Sequence, residues 1–189
     1  DCKHFLDMKS KSVKIGKNFG NSILNNLIEI EGVISVTIVG SFSENFNIQK
    51  IGDLDVVVIC KELNKSLLTA AKKKVKEIKI KDRKLKINTS FGPIKFDPKK
   101  YLTIHLMIYD VKSHVEHVIK SPFTCFDWQR SKWNRGKKLG EIFPVYSLQL
   151  RDFFESRRGS VEYLKDLKNN RISYRDYYFK KNRVRLKKK

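Results

Sequence analysis

Two β-rich apolar runs, one ending in glycine and the other opening on acids, constrain this chain most. Val33-Ile34-Ser35-Val36-Thr37-Ile38-Val39 stops abruptly at Gly40-Ser41, and Asp53-Leu54-Asp55-Val56-Val57-Val58-Ile59 begins with two carboxylates. In a strand alternate side chains share a face, so Asp53 and Asp55 point the same way, roughly 7 Å apart. Leu54, Val56 and Val58 then point into a core. Asp is a poor strand former, and two acids side by side repel unless a cation lies between them. Gathered carboxylate oxygens are the ligands Mg²⁺ prefers, completed by water and substrate phosphate. Gly40-Ser41 supplies the complementary half. A strand that ends in Gly-Ser can aim backbone N–H groups and one hydroxyl at an anion, and without a Cβ the backbone can approach a phosphate closely. A phosphate grip beside a metal-ligand pair suits nucleotide chemistry; the plainer reading is two ordinary strands joined by a polar loop.

The joint pattern of Val39-Gly40-Ser41, eleven residues, then Asp53-Leu54-Asp55-Val56 resembles the signature of the DNA polymerase β-like nucleotidyltransferase superfamily. Gly32-Val33-Ile34-Ser35-Val36 is similar to the entry into that family's first strand. The likeness covers roughly residues 20–60 and thins towards residue 110. It implies an α/β fold, a small mixed sheet flanked by helices, over a core of residues 1–110. It also implies phosphates on Gly40 and Ser41, and Mg²⁺, or Mn²⁺ in its place, on Asp53 and Asp55. The activity implied is transfer of a nucleoside monophosphate from a nucleoside triphosphate such as ATP to an acceptor hydroxyl, with pyrophosphate leaving. Active family members bring a third carboxylate on a later strand, as hydrophobic-Asp-hydrophobic. The corresponding element here is Ile104-His105-Leu106. Three readings of it stay open. His105 acts as a base, its ordinary pKa lying near neutrality; Asp97 or Asp110 fills the role; or the site binds nucleotide with impaired catalysis. Lys50 is the one basic residue in the spacer, where family members often carry Arg.

A formal net charge of +21 on 189 residues attracts polyanions, nucleic acid first among them. Only 10 of the 41 basic residues are Arg, the residue favoured for bidentate phosphate contacts, and a Lys- and Asn-rich composition also arises from nucleotide bias in a genome. The charge favours an RNA acceptor, a tRNA or other 3′ end, over a cationic small molecule. The competing class is a catalytically impaired protein of the same fold acting as a nucleic-acid-binding module, and a nucleotide-dependent toxin is a third. Phe126, Trp128 and Trp133 stand among Arg130, Lys132, Arg135, Lys137 and Lys138, an interleaving that suits base stacking or a packed core equally. Lys180, Lys181, Arg183 and Arg185 belong to a basic C-terminal arm. No apolar run approaches the roughly 20 residues that span a bilayer, so no membrane partner is expected. Three widely spaced cysteines, Cys2, Cys60 and Cys125, form neither a disulfide framework nor a zinc pattern, which points to a reducing, cytoplasmic setting. The lack of an initiator Met suggests a trimmed chain or a fragment.

In chain order, Ile23, Leu24, Leu27 and Ile28 predict a helix over residues 18–31, whereas residues 1–17 show no clear period. A short helical turn is expected after Ser41. Residues 62–80 read as a helix with Leu67, Leu68, Ala71, Val75 and Ile78 inward and Lys72, Lys73 and Lys74 on a solvated face. Leu85 to Phe91 alternates as a strand, with Gly92-Pro93 turning towards a returning strand at Ile94-Lys95-Phe96. Tyr101 to Tyr109 is a strong strand with Leu102, Ile104, Leu106 and Ile108 on one face. From residue 111 to 189 the chain reads as basic and mainly helical. It includes His114 and His117 at i, i+3, with no further ligand at zinc spacing, and a helix pair over 147–167 interrupted at Arg157-Arg158-Gly159-Ser160.

Overall fold

In the computed structural model the two apolar runs become neighbouring strands of one sheet. β1 (Val33–Val39) and β2 (Asp53–Cys60) pair antiparallel, with Val36 opposite Val58 and Val39 opposite Asp55. The structure describes residues 2–45, 48, 51–80, 83–89 and 100–168. β4 (Tyr101–Asp110) lies parallel to β2 on its other side, placing Thr103 beside Asp53 and His105 beside Asp55. β3 (Lys84–Asn88) adds to β4 in parallel, and β5 (Asn134–Gly136) adds to β1 antiparallel. The order is β3-β4-β2-β1-β5, a five-stranded mixed sheet within an α/β fold. The strand expected at Ile94-Lys95-Phe96 lies outside the described residues, as do Lys50, Asp97 and the basic arm.

One face of the sheet is covered by α1 (Cys2–Ile28) and α3 (Lys65–Glu77). Ile23, Leu24 and Leu27 pack there against Val36, Ile38, Leu54, Val56, Val58 and Ile104. α1 begins far earlier than residue 18 and ends before residue 31. Its buried stripe runs back through Phe19 and Gly20 to Gly16 and Ser12, so small residues continue the face without adding hydrophobicity. At Gly20 the smallness is used: a Cβ would stand 3.0 Å from the Trp133 ring and 3.1 Å from that of Phe42.

The opposite face is covered by α4 (Val111–Lys120), α5 (Pro122–Gln129) and the single turn α6 (Leu139–Ile142). Val57, Ile59 and Met107 meet Val118, Cys125, Trp128 and Leu139 there. Asp110 caps α4, its carboxylate accepting from the Ser113 N–H at 2.7 Å. The segment after residue 110 also supplies the edge strand. Asn134 donates to Thr37 Oγ1 at 3.0 Å, and Gly136, at φ +76°, comes so near the Ile34 carbonyl that any Cβ would collide with it. α7 (Leu150–Lys168) runs unbroken through Gly159 and Ser160, correcting the expected interruption; one mid-helix glycine costs only about 1 kcal/mol. Cys60 and Cys125 are buried free thiols, and among the described residues no helix is long and apolar enough to cross a membrane.

His114 is the anomaly of this second core. It is fully buried and neither ring nitrogen has a hydrogen-bond partner, while Tyr109 and His117 lie beside it and Cys125 faces Tyr109. Burial, reinforced by His117, pushes its pKa down from 6.5 to about 4. An unfolded chain therefore takes up a proton that the folded chain refuses, and stability from this site is lost as pH falls from about 6.5 towards 4. We predict that His114→Leu raises stability by about 1 kcal/mol at pH 7.5 and by more at pH 5, read by urea unfolding. Equal acid losses in variant and parent would contradict this.

Candidate active site at the glycine bend and the aspartate pair

β1 ends because Gly40 turns left-handed, at φ +74°. The bend continues into α2 (Phe42–Asn45), where Ser43 fastens it by donating to the Gly40 carbonyl from its N–H (3.1 Å) and its hydroxyl (2.7 Å). Phe42 is buried against the edge of the Trp133 ring, 6.5 Å between centroids. Ser41 is exposed at the turn. The bend leans directly on the second strand, since a Cβ on residue 40 would lie 2.8 Å from Asp55 Oδ2.

Alternation along β2 sends Leu54, Val56 and Val58 into the α1/α3 core. Asp53 and Asp55 are left on the other face, half-buried, at the start of the strand. His105, only 2% exposed, places Nε2 3.7 Å from Asp53 Oδ2. Burial raises the pKa of both acids. Asp55 reaches about 6 through burial and then the charge of Asp53, with His105 opposing; Asp53 rises through burial, again with His105 opposing. The approach to β2 is held by Ile48 and Ile51 in the core and by Arg83, which donates to the Ile51 carbonyl at 2.7 Å and to that of Ile48. Thr103 N–H donates to the Gly52 carbonyl at 3.1 Å. Arg83 positions the acids from a distance, and nothing in the sequence marks it.

Beside Gly40 opens a cleft of about 400 Å³ lined by Val39, Gly40, Ser43, Arg130, Ser131 and Lys132, with Asp127 and Trp133 at its wall. The cations reach it because their segment is tied to the end of β1. Ser131 Oγ donates to the Ile38 carbonyl at 2.5 Å, and Ile38 N–H to the Trp133 carbonyl at 2.9 Å. A larger hollow of about 750 Å³ lies at the far end of the strands, among Gly32, Lys61, Glu62 and Lys73. It mixes both signs of charge and is remote from the aspartates.

Of the residues expected to act, Gly40, Asp53, Asp55 and His105 converge; Arg130 and Lys132 share the cleft with Gly40, whose lining does not include the two acids, His105 or Ser41. Arg135 instead reaches α1, donating to Asn21 and Asn25 at 3.1 Å each, and Lys137 is exposed outside the cleft. Lys180, Lys181, Arg183 and Arg185 lie outside the described residues. Trp128 is buried and stacks on His117, and half-buried Trp133 packs on Phe42, so both serve cores; Phe126 is exposed, with Arg130 5.9 Å over its ring. No family model matches the chain, and neither curated proteins nor solved structures show significant similarity to it.

Among the described residues no three His, Cys, Asp or Glu side chains are grouped so as to hold a metal ion. Two carboxylates that repel each other in a half-buried setting still fit a divalent cation, provided that water and ligand oxygens complete the shell.

Two outcomes follow. Gly40→Ala should cost about 1–3 kcal/mol, from left-handed strain and displacement of the Asp55 carboxylate. In a double-mutant cycle the cost should shrink when Asp55 is Ala; full additivity would contradict the contact. Between about pH 4 and 6 folded Asp55 keeps a proton that the unfolded chain releases, so stability from this site is present below 3.8 and lost as pH rises through about 6. Asp55→Asn should therefore be more stable than the parent at pH 7.5, by about 1–2 kcal/mol after discounting for solvent screening. The difference should close near pH 4, and a parent as stable as the variant at pH 7.5 would rule out the repulsion.

Proposed function

We propose that the protein is a metal-dependent nucleotidyltransferase that moves a nucleoside monophosphate from a nucleoside triphosphate to an acceptor hydroxyl, on RNA in preference to a small molecule. The observation that carries this is the meeting of the Gly40 bend, the Asp53–Asp55 pair and the Arg130–Lys132 cleft at one end of β1 and β2. The triphosphate lies along Gly40, where a missing Cβ permits close approach, with Ser41 at the turn and Arg130 and Lys132 offsetting its charge. Asp53 and Asp55 would hold Mg²⁺, or Mn²⁺, which would supply positive charge to neutralise the phosphates. The acceptor oxygen bonds to the α-phosphorus, the bond to the pyrophosphate oxygen breaks, and the hydroxyl proton passes to His105 Nε2, 3.7 Å from Asp53.

The second reading, a nucleic-acid-binding module on a retired nucleotidyltransferase scaffold, is favoured by one observation: His105 stands where active members of the superfamily this chain resembles carry a third acid. Incubation with α-labelled nucleoside triphosphates, Mg²⁺ and total RNA separates the two. Transfer should be seen and should fall at least about 100-fold in Asp53→Asn and in Asp55→Asn. Arg130→Ala should raise KM for the nucleotide about tenfold. Salt-sensitive RNA retention without transfer would support the module instead.

A further inference from the structure

The cationic cleft accounts for one flank of the aspartates, the β1 side. The other flank is built by β4 and β3, and the strand register fixes which of their residues share the acid-bearing face. Leu102 and Ile104 of β4 and Leu85 and Ile87 of β3 belong to the α1/α3 core. Thr103, His105 and Tyr101 of β4, with Lys84, Lys86 and Asn88 of β3, therefore lie on the same face as Asp53 and Asp55. Adjacent strands lie about 4.8 Å apart, so β3 runs about 10 Å from the acids. Lys86 Nζ sits 5.2 Å over the Tyr101 ring, a contact that steadies the ammonium. Lys84 is exposed and Lys86 half-buried. Thr103 is 1% exposed, its Oγ1 has no hydrogen-bond partner, and it stands beside Asp53 in register.

We infer that this β3–β4 flank receives the acceptor, and that the acceptor is the 3′ end of a single-stranded nucleic acid. The inference rests on the transferase reading. In-line displacement puts the attacking oxygen opposite the leaving pyrophosphate. With the phosphates on the β1 side, the acceptor enters over β4. The described residues of β3 there contribute lysines and no acid, which repels a cationic small molecule and attracts phosphodiesters. A single strand can lay its unpaired terminal nucleotide on this face, whereas a duplex end keeps it stacked and paired. Lys84 and Lys86 hold backbone phosphates, and Tyr101 positions Lys86.

The test is fluorescence anisotropy of the full chain with a labelled 12-nucleotide oligoadenylate, as RNA and as DNA, without nucleoside triphosphate. The double variant Lys84→Ala with Lys86→Ala should bind at least tenfold more weakly, and its salt slope should shrink by about 1.4, the value for two phosphate contacts on a single strand. The control pair Lys76→Ala with Lys79→Ala removes the same charge at the end of α3 and just beyond it, on the opposite face, and should bind as the parent does. Equal weakening in both pairs, or equally effective competition by a blunt duplex, would overturn the assignment. Label transfer is then assayed with the same oligonucleotide. Transfer by the parent that persists unchanged in the Lys84/Lys86 variant would overturn this flank alone. Binding at these lysines with no transfer by the parent would retire the transferase reading, and the acceptor role with it.

Discussion

The structure around the candidate site depends on one close approach, the Gly40 backbone against the carboxylate of Asp55. Antiparallel pairing brings the end of β1 to the start of β2 and sets Val39 opposite Asp55. The missing Cβ lets the bend close over the acid, and Ser43 and Phe42 hold it there. The same approach explains why the aspartates are costly in a metal-free protein. They are half-buried, which raises the pKa of both, and the charge of Asp53 raises that of Asp55 further. A site that is uncomfortable alone gains most from a cation and the phosphates that accompany it, which is the physical core of the proposed function.

Charge is divided around this point with some order. Arg130 and Lys132 approach from the β1 side because Ser131 is fastened to Ile38. Lys84 and Lys86 lie on the β3 side because strand register puts them on the acid-bearing face. The aspartates occupy the centre, where, in the proposed function, they would hold a metal between two anionic partners. A net charge of +21 by itself says only that polyanions are attracted; the placement of four cations on two sides of two acids makes the attraction directional.

Much of this was legible in the sequence where the periodicity was strong. β1, β2 and β4 announce themselves by alternation and β-branched content, and the Gly40, Asp53, Asp55 and His105 grouping follows once those strands pair. The start of α1 was hidden because Ser12, Gly16 and Gly20 continue its buried face with no hydrophobic signal. β5 was hidden because three residues ending in a left-handed glycine carry no period. Missing β5 also hid the true place of Arg130 and Lys132, which sit at the cleft only because the following residues join the sheet. Arg83 acts through long-range geometry, which spacing cannot reveal, and the break expected in α7 is absent because one glycine is a weak helix breaker.

The central claim is that the two aspartates and the glycine bend form one metal-dependent triphosphate site. Equilibrium dialysis of a labelled nonhydrolysable nucleoside triphosphate, with and without Mn²⁺, addresses it most directly. Retention should be saturable, should require the ion, and should vanish when either Asp53 or Asp55 is replaced by Asn. Retention that ignores the metal, or survives both substitutions, would contradict the account.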